Sequence, residues 1–79
     1  MSLRVVVWGT GSVGALALRE LLANPDFDIV GVKVYGDEKV GADAGALCGA
    51  PATGVAAVRD VARLPLDATD CVVYCPRVA

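Results

Sequence analysis

Gly9-Thr10-Gly11-Ser12-Val13-Gly14 forms a G-x-G-x-x-G run near the start of the chain. The chemistry this spacing serves is the holding of a pyrophosphate by backbone rather than by side chains. Gly9 permits a tight turn, Gly11 lets the backbone come close to the phosphates, and Gly14 lets a helix sit close to a sheet. Free N–H groups at the start of that helix, at the positive end of its dipole, then attract the anion. Thr10, Ser12 and Val13 complete the candidate loop. No histidine occurs anywhere in the chain, so the commonest general acid–base and metal ligand is missing. The residues therefore name no catalytic or metal site.

The motif acquires meaning from the elements around it. Leu3-Arg4-Val5-Val6-Val7-Trp8 is short, β-branched and nearly uncharged, the pattern of a strand buried on both sheet faces. Ala15 to Ala23 is rich in Ala and Leu and reads as helix. At about 100° per residue, Val13, Ala17, Leu21, Gly14, Leu18 and Leu22 fall on one arc, with Gly14 near its middle. Asn24-Pro25 ends the helix. Asp28 to Tyr35 reads as the second strand, with Val30, Val32 and Val34 on one face and Gly31, Lys33 and Tyr35 on the other. A right-handed βαβ unit follows.

Gly36 to Gly54 is punctuated by glycines throughout and reads as loop. Within it, Asp43 is expected to organise the loop by accepting backbone N–H groups. Val55-Ala56-Ala57-Val58 reads as a short third strand, and Arg59 to Leu64 as a short helix stopped by Pro65. Asp70 closes the turn into a last strand, Cys71-Val72-Val73-Tyr74-Cys75, which Pro76 terminates. The expected architecture is a three-layer α/β fragment with a doubly wound parallel sheet in the order 3-2-1-4. In that order Val55–Val58 is third, Cys71–Cys75 fourth, and the first strand central.

Composition bounds the rest. At 79 residues the chain is one domain at most, and a domain this small buries only about 60% of its unfolded surface. Yet 56% of its residues are hydrophobic, more than such a core can hide, which points to neighbours elsewhere in a longer chain or in partners. The net charge of −2 gives no electrostatic case for nucleic acid or a membrane surface. No apolar run approaches the roughly 18 residues of a membrane span. The three cysteines, Cys48, Cys71 and Cys75, form no C-x-x-C pair and read as small buried hydrophobes in a reducing cytoplasm.

The later segments carry a resemblance. Lys39-Val40-Gly41-Ala42-Asp43-Ala44-Gly45-Ala46-Leu47-Cys48-Gly49, followed by Thr53-Gly54-Val55, resembles the loop after the second strand in dihydrodipicolinate reductases and their relatives. The Asp70-Cys71-Val72-Val73-Tyr74-Cys75-Pro76 ending resembles them too. Lys-Val-Gly-x-Asp-Ala-Gly and Val-Val-Tyr-x-Pro are most similar to the branch containing 2,4-diaminopentanoate dehydrogenase and amine-dehydrogenase-like proteins. The resemblance covers essentially all 79 residues, and those enzymes are several times longer. It implies the first part of an NAD(P)-binding domain, a partial Rossmann fold truncated after the strand that abuts the nicotinamide.

What the resemblance implies for residues is specific. Gly9 to Gly14 would meet the pyrophosphate, Tyr35 and Gly36 the adenine ribose, and Tyr74, Cys75 and Pro76 the nicotinamide. The catalytic and substrate domain would lie beyond residues 1–79. An NAD enzyme usually places Asp or Glu at the end of the second strand; here Tyr35 stands there, with Asp37 and Glu38 slightly late. Lys39 beside them is either a solvated loop lysine or the partner of a 2′-phosphate, so NAD and NADP both stay open. Tyr35 is either a ribose neighbour or a strand-end tyrosine. Lys33 reads as an edge or interface residue, and Trp8 as packing at its strand's end with an indole N–H in need of a partner.

The function implied is the cofactor-binding segment of an oxidoreductase that reduces an imine or oxidatively deaminates an amine, with no turnover by these 79 residues alone. A small amine or imine substrate would bind only with the missing domain. The alternative is a non-catalytic nucleotide-binding or sensor module. A methyltransferase also uses a glycine turn after its first strand, but no acidic residue immediately precedes Gly9, which counts against it. Self-association through an apolar, unpaired last strand is expected.

Overall fold

The computed structural model describes residues 3–75, apart from the side chains of Ser12 and Val13. The β-branched run at the start forms β1 (Leu3–Trp8), and the chain then turns through the glycines into α1 (Ser12–Ala23). At the end of α1 the Asn24 Oδ1 accepts from the Asp26 N–H at 2.9 Å. This Asx turn hands the chain to β2 (Phe27–Lys33). Much further on, β3 (Cys71–Tyr74) returns to the sheet. All pairing is parallel, in the order β2-β1-β3, so β1 is central. The fold is α/β, a partial Rossmann-like arrangement.

The expected third strand is absent from this sheet. Val55–Val58 contributes two isolated bridges, an antiparallel one from Ala56 to Asp43 and a parallel one from Val58 to Lys33. Val58 exchanges backbone hydrogen bonds with Val32 and Val34 at 2.9 Å each. It thus lies on the outer side of β2, where a third strand would lie. Its neighbours Asp43 and Lys33 pull the segment two ways, so no ladder extends. Arg59 to Leu64 likewise shrinks to a single 3-10 turn, Val61–Arg63, which the Asp60 carboxylate caps by accepting from the Ala62 N–H.

β2 also departs from simple alternation. Val5 pairs with Ile29 but Val6 pairs with Gly31, so Val30 is an extra residue, a β-bulge. The slip exchanges the faces. Ile29, Val32 and Val34 gather on one side with Val5, Val7 and Leu18, in place of the expected trio Val30, Val32 and Val34. Val6 is fully buried on the other side, where Leu64 and Pro65 cover Gly31.

Part of the expected loop is helical. Ala44–Cys48 forms a one-turn helix, α2, capped by Asp43 and ended by Gly49 in the left-handed region (φ 76°). Ala44 joins the same core as Leu18, so α1 and α2 share one face of the sheet. The opposite face carries the Leu64 segment rather than a helix, which makes two full layers where three were expected. On α1 the buried arc is as read apart from Val13, whose side chain lies outside the description: Gly14 and Leu18 are buried, Ala17, Leu21 and Leu22 half-buried, and Leu16, Arg19 and Glu20 exposed. β3 lies at the sheet's edge, with Val72 and Tyr74 exposed. Among the described residues, no helix is long and apolar enough to cross a membrane.

Candidate functional site

The site grows from the turn between β1 and α1. Gly9 sits at φ 105°, a conformation closed to most residues, and a β-carbon on it would overlap the Cys75 carbonyl. Gly14 is as constrained from inside the helix, because a β-carbon there would overlap the Gly9 carbonyl. Its close approach is thus to the turn itself more than to the sheet. Gly11 differs from both: a β-carbon on it would meet nothing within 4 Å. Its open side faces a groove of about 250 Å³.

Gly11 is also the N-cap of α1, and no side chain caps the helix there. The first N–H groups of a helix have no intrahelical acceptor. No acidic residue stands in the first turn, so the dipole's positive end is uncompensated from within that turn. An anion at this point would find both donors and potential.

Gly9, Thr10 and Gly11 line the groove together with Tyr35, Gly36, Glu38, Lys39 and Cys75. The structure therefore brings the turn, the end of β2 and the residue after β3 to one place. Lys39 is held there by donating from Nζ to the Thr10 carbonyl at 3.2 Å and, more weakly, to Oγ1 at 3.5 Å. Thr10 itself is buried. The Tyr35 hydroxyl accepts from Trp8 Nε1–H at 2.9 Å, which supplies the partner that the indole requires. Tyr35 both lines the groove and braces β1 against β2.

Other expected residues fall elsewhere. Tyr74 meets Trp8 edge-on, with ring centroids 6.1 Å apart, and does not line the groove. Pro76 lies outside the described residues. Lys33 is not at an exposed edge: it is 7% exposed, donates to the Val34 carbonyl at 3.0 Å, and lies 4.7 Å from the Tyr35 ring centroid. Cys71 is exposed and Cys75 half-buried, against the expectation of buried hydrophobes, while the half-buried Cys48 packs against the core. Glu38 is the groove residue that sequence reasoning left without a role. Its signal was its place within the turn that follows β2, where a late acid can fold back.

Two carboxylates hold the frame. Asp43 accepts from the backbone N–H groups of Gly45, Thr53 and Gly54 at 2.7–2.9 Å, and from the Thr53 hydroxyl. These bonds, the Thr53 N–H foremost, hold its pKa below the usual carboxylate range. Asp70 accepts from the Arg4 N–H at 2.8 Å and pairs with its guanidinium. Its pKa is also lowered, chiefly by that backbone bond.

With this geometry in place, the comparisons take on meaning. No family model matches the chain. Over 42 residues, 53% of its length, it is 52% identical to an amine dehydrogenase of Streptomyces virginiae. Its fold matches the structure of amine dehydrogenase from Mycobacterium smegmatis with a TM-score of 0.78 and 30% identity over 91% of the chain. The relation is to amine dehydrogenases. The chain spans 12% of the first protein and 22% of the second, so the likeness concerns a minor part of each amine dehydrogenase.

Proposed function

We propose that the groove binds the pyrophosphate and adenosine half of a nicotinamide dinucleotide, for an oxidoreductase acting on amines or imines. The observation that carries this reading is the contrast within the glycine turn. Gly9 and Gly14 are closed by backbone contacts, while Gly11 opens onto a groove at an uncapped helix start. The donor set fits an anion held by backbone N–H groups, from Gly11 to Gly14. Tyr35, Gly36 and Glu38 would meet the ribose, and Cys75 the start of the nicotinamide side. When bound, the nicotinamide supplies the hydride acceptor or donor.

The amine half of the reading rests on the two relatives. Amine oxidation and imine reduction are the two directions of one hydride transfer, so the dihydrodipicolinate-reductase-like and amine-dehydrogenase-like expectations meet in a single chemistry. No residue described here is proposed as its acid–base group.

Trp8, the single tryptophan, neighbours the groove through Tyr35 and makes the test direct. Titration with NADH or NADPH is expected to give saturable quenching of Trp8 emission with energy transfer to the nicotinamide. Absence of saturable binding by either dinucleotide, in calorimetry as in fluorescence, would overturn the proposal.

A further inference from the structure

The end of β2 decides what kind of ribose the groove admits, a diol or one bearing a 2′-phosphate. Three cations stand near it, and each is already committed. Lys33 is buried and bonded to the Val34 carbonyl under the Tyr35 ring. Lys39 is bonded to Thr10. Arg59 is paired with the Asp37 carboxylate. Of the two carboxylates in the turn after β2, Asp37 is paired with Arg59, whereas that of Glu38, which lines the groove, has no hydrogen-bond or ion-pair partner among the described residues.

Its position is as telling as its freedom. A β-carbon built on Gly36 would overlap both carboxylate oxygens of Glu38. The acid therefore occupies the space that a side chain at residue 36 would fill. The Asp37–Lys39 turn, closed by the Lys39 N–H donating to the Gly36 carbonyl at 3.1 Å, carries it back there. An acid is wanted at the strand's end to hold ribose hydroxyls, and this chain supplies it from two residues downstream. Gly36 is what leaves room for it.

On the dinucleotide reading, we infer that Glu38 accepts the ribose hydroxyls and makes this site select NAD over NADP. An ionised carboxylate is an acceptor only, suited to a pair of O–H donors. A 2′-phosphate would bring like charge against it, and no cation there is free to compensate. Recruiting Lys39 would strip the hydrogen bond from the buried Thr10, which costs free energy of its own.

The test measures dissociation constants for NAD⁺ and NADP⁺ by calorimetry in the parent protein and in Glu38→Gln, with melting temperature as a control on folding. The parent is expected to bind NAD⁺ about tenfold tighter or more, as a charge-assisted hydrogen bond allows. Glu38→Gln, an exposed change, is expected to melt with the parent and to bring the ratio close to one. A parent that binds NADP⁺ as tightly, or a variant that keeps the parent's ratio, overturns the role of Glu38 and leaves dinucleotide binding standing. Failure of both dinucleotides to bind the parent overturns the two readings together.

Discussion

The two helix starts of this protein solve one electrostatic problem in opposite ways. α2 begins at Asp43, whose carboxylate gathers three backbone N–H groups from both sides of its loop. α1 begins at Gly11, with no side chain on its N–H groups. The first loop carries its own anion and is therefore finished as structure. The second has donors and positive potential left over, beside a groove. On the dinucleotide reading, unspent donors at a helix start, more than the glycines as such, would mark the binding loop.

The largest expected effect comes from closing the α1 turn by force. Gly9→Ala puts a methyl on the Cys75 carbonyl and asks alanine to hold φ 105°. Both effects oppose folding, and a loss of about 3 kcal/mol is expected, the upper end of ordinary overpacking. Total stability of a chain this size is only about 4–12 kcal/mol. Thermal melting of the variant checks it, and a midpoint equal to the parent's would show that the turn can move away from β3.

A smaller effect is expected from removing the built-in anion. Asp43→Asn keeps the size of the side chain and some capping ability, but it removes the charge that three N–H groups share. Hydrogen exchange at Gly45, Thr53 and Gly54 should quicken while Val5, Val6 and Val7 in β1 stay protected. The pH dependence follows from sign. The folded pKa of Asp43 lies below its unfolded value. Its contribution is therefore complete above the unfolded pKa and drains away as pH falls through the folded one. Asp70 has the same sign. Acid titration of the melting temperature should fall less steeply in Asp43→Asn than in the parent. Superimposable curves would mean that Asp43 holds nothing together.

The two loops were not equally legible from sequence. The α1 turn was legible in its glycines, because Gly9 and Gly14 both answer to backbone contacts, although Gly14 was expected against the sheet and instead abuts the Gly9 carbonyl. Asp43 was recognised as an organiser, yet α2 went unseen, since Ala44-Gly45-Ala46-Leu47-Cys48 is too short and too glycine-rich for its periodicity to speak. Its capping residues, Asp43 before it and Gly49 after it, were the usable signal. The faces of β2 were misjudged because a bulge at Val30 leaves no mark in an apolar run. Val55–Val58 has strand composition, but its partners Asp43 and Lys33 belong to different elements, and only tertiary structure reveals that. Glu38 was passed over for a like reason: its carboxylate reaches the strand's end by folding back through space.

The smallest expected change in stability is also the sharpest test of the comparison. Gly11 has an extended N-cap backbone, φ −65° and ψ −170°, and open space where a side chain would begin. Gly11→Asp should therefore fit without strain and supply to α1 what Asp43 supplies to α2. Replacing glycine by aspartate at an N-cap is worth a few tenths of a kcal/mol, so the melting temperature should hold or rise slightly. Dinucleotide binding, however, should be lost, because the new carboxylate takes the N–H groups and repels the phosphates from the same position. Stability and binding then move in opposite directions from one substitution. A variant that still binds NADH like the parent would place the phosphates away from the start of α1, and the contrast between the two helix starts would lose its functional meaning.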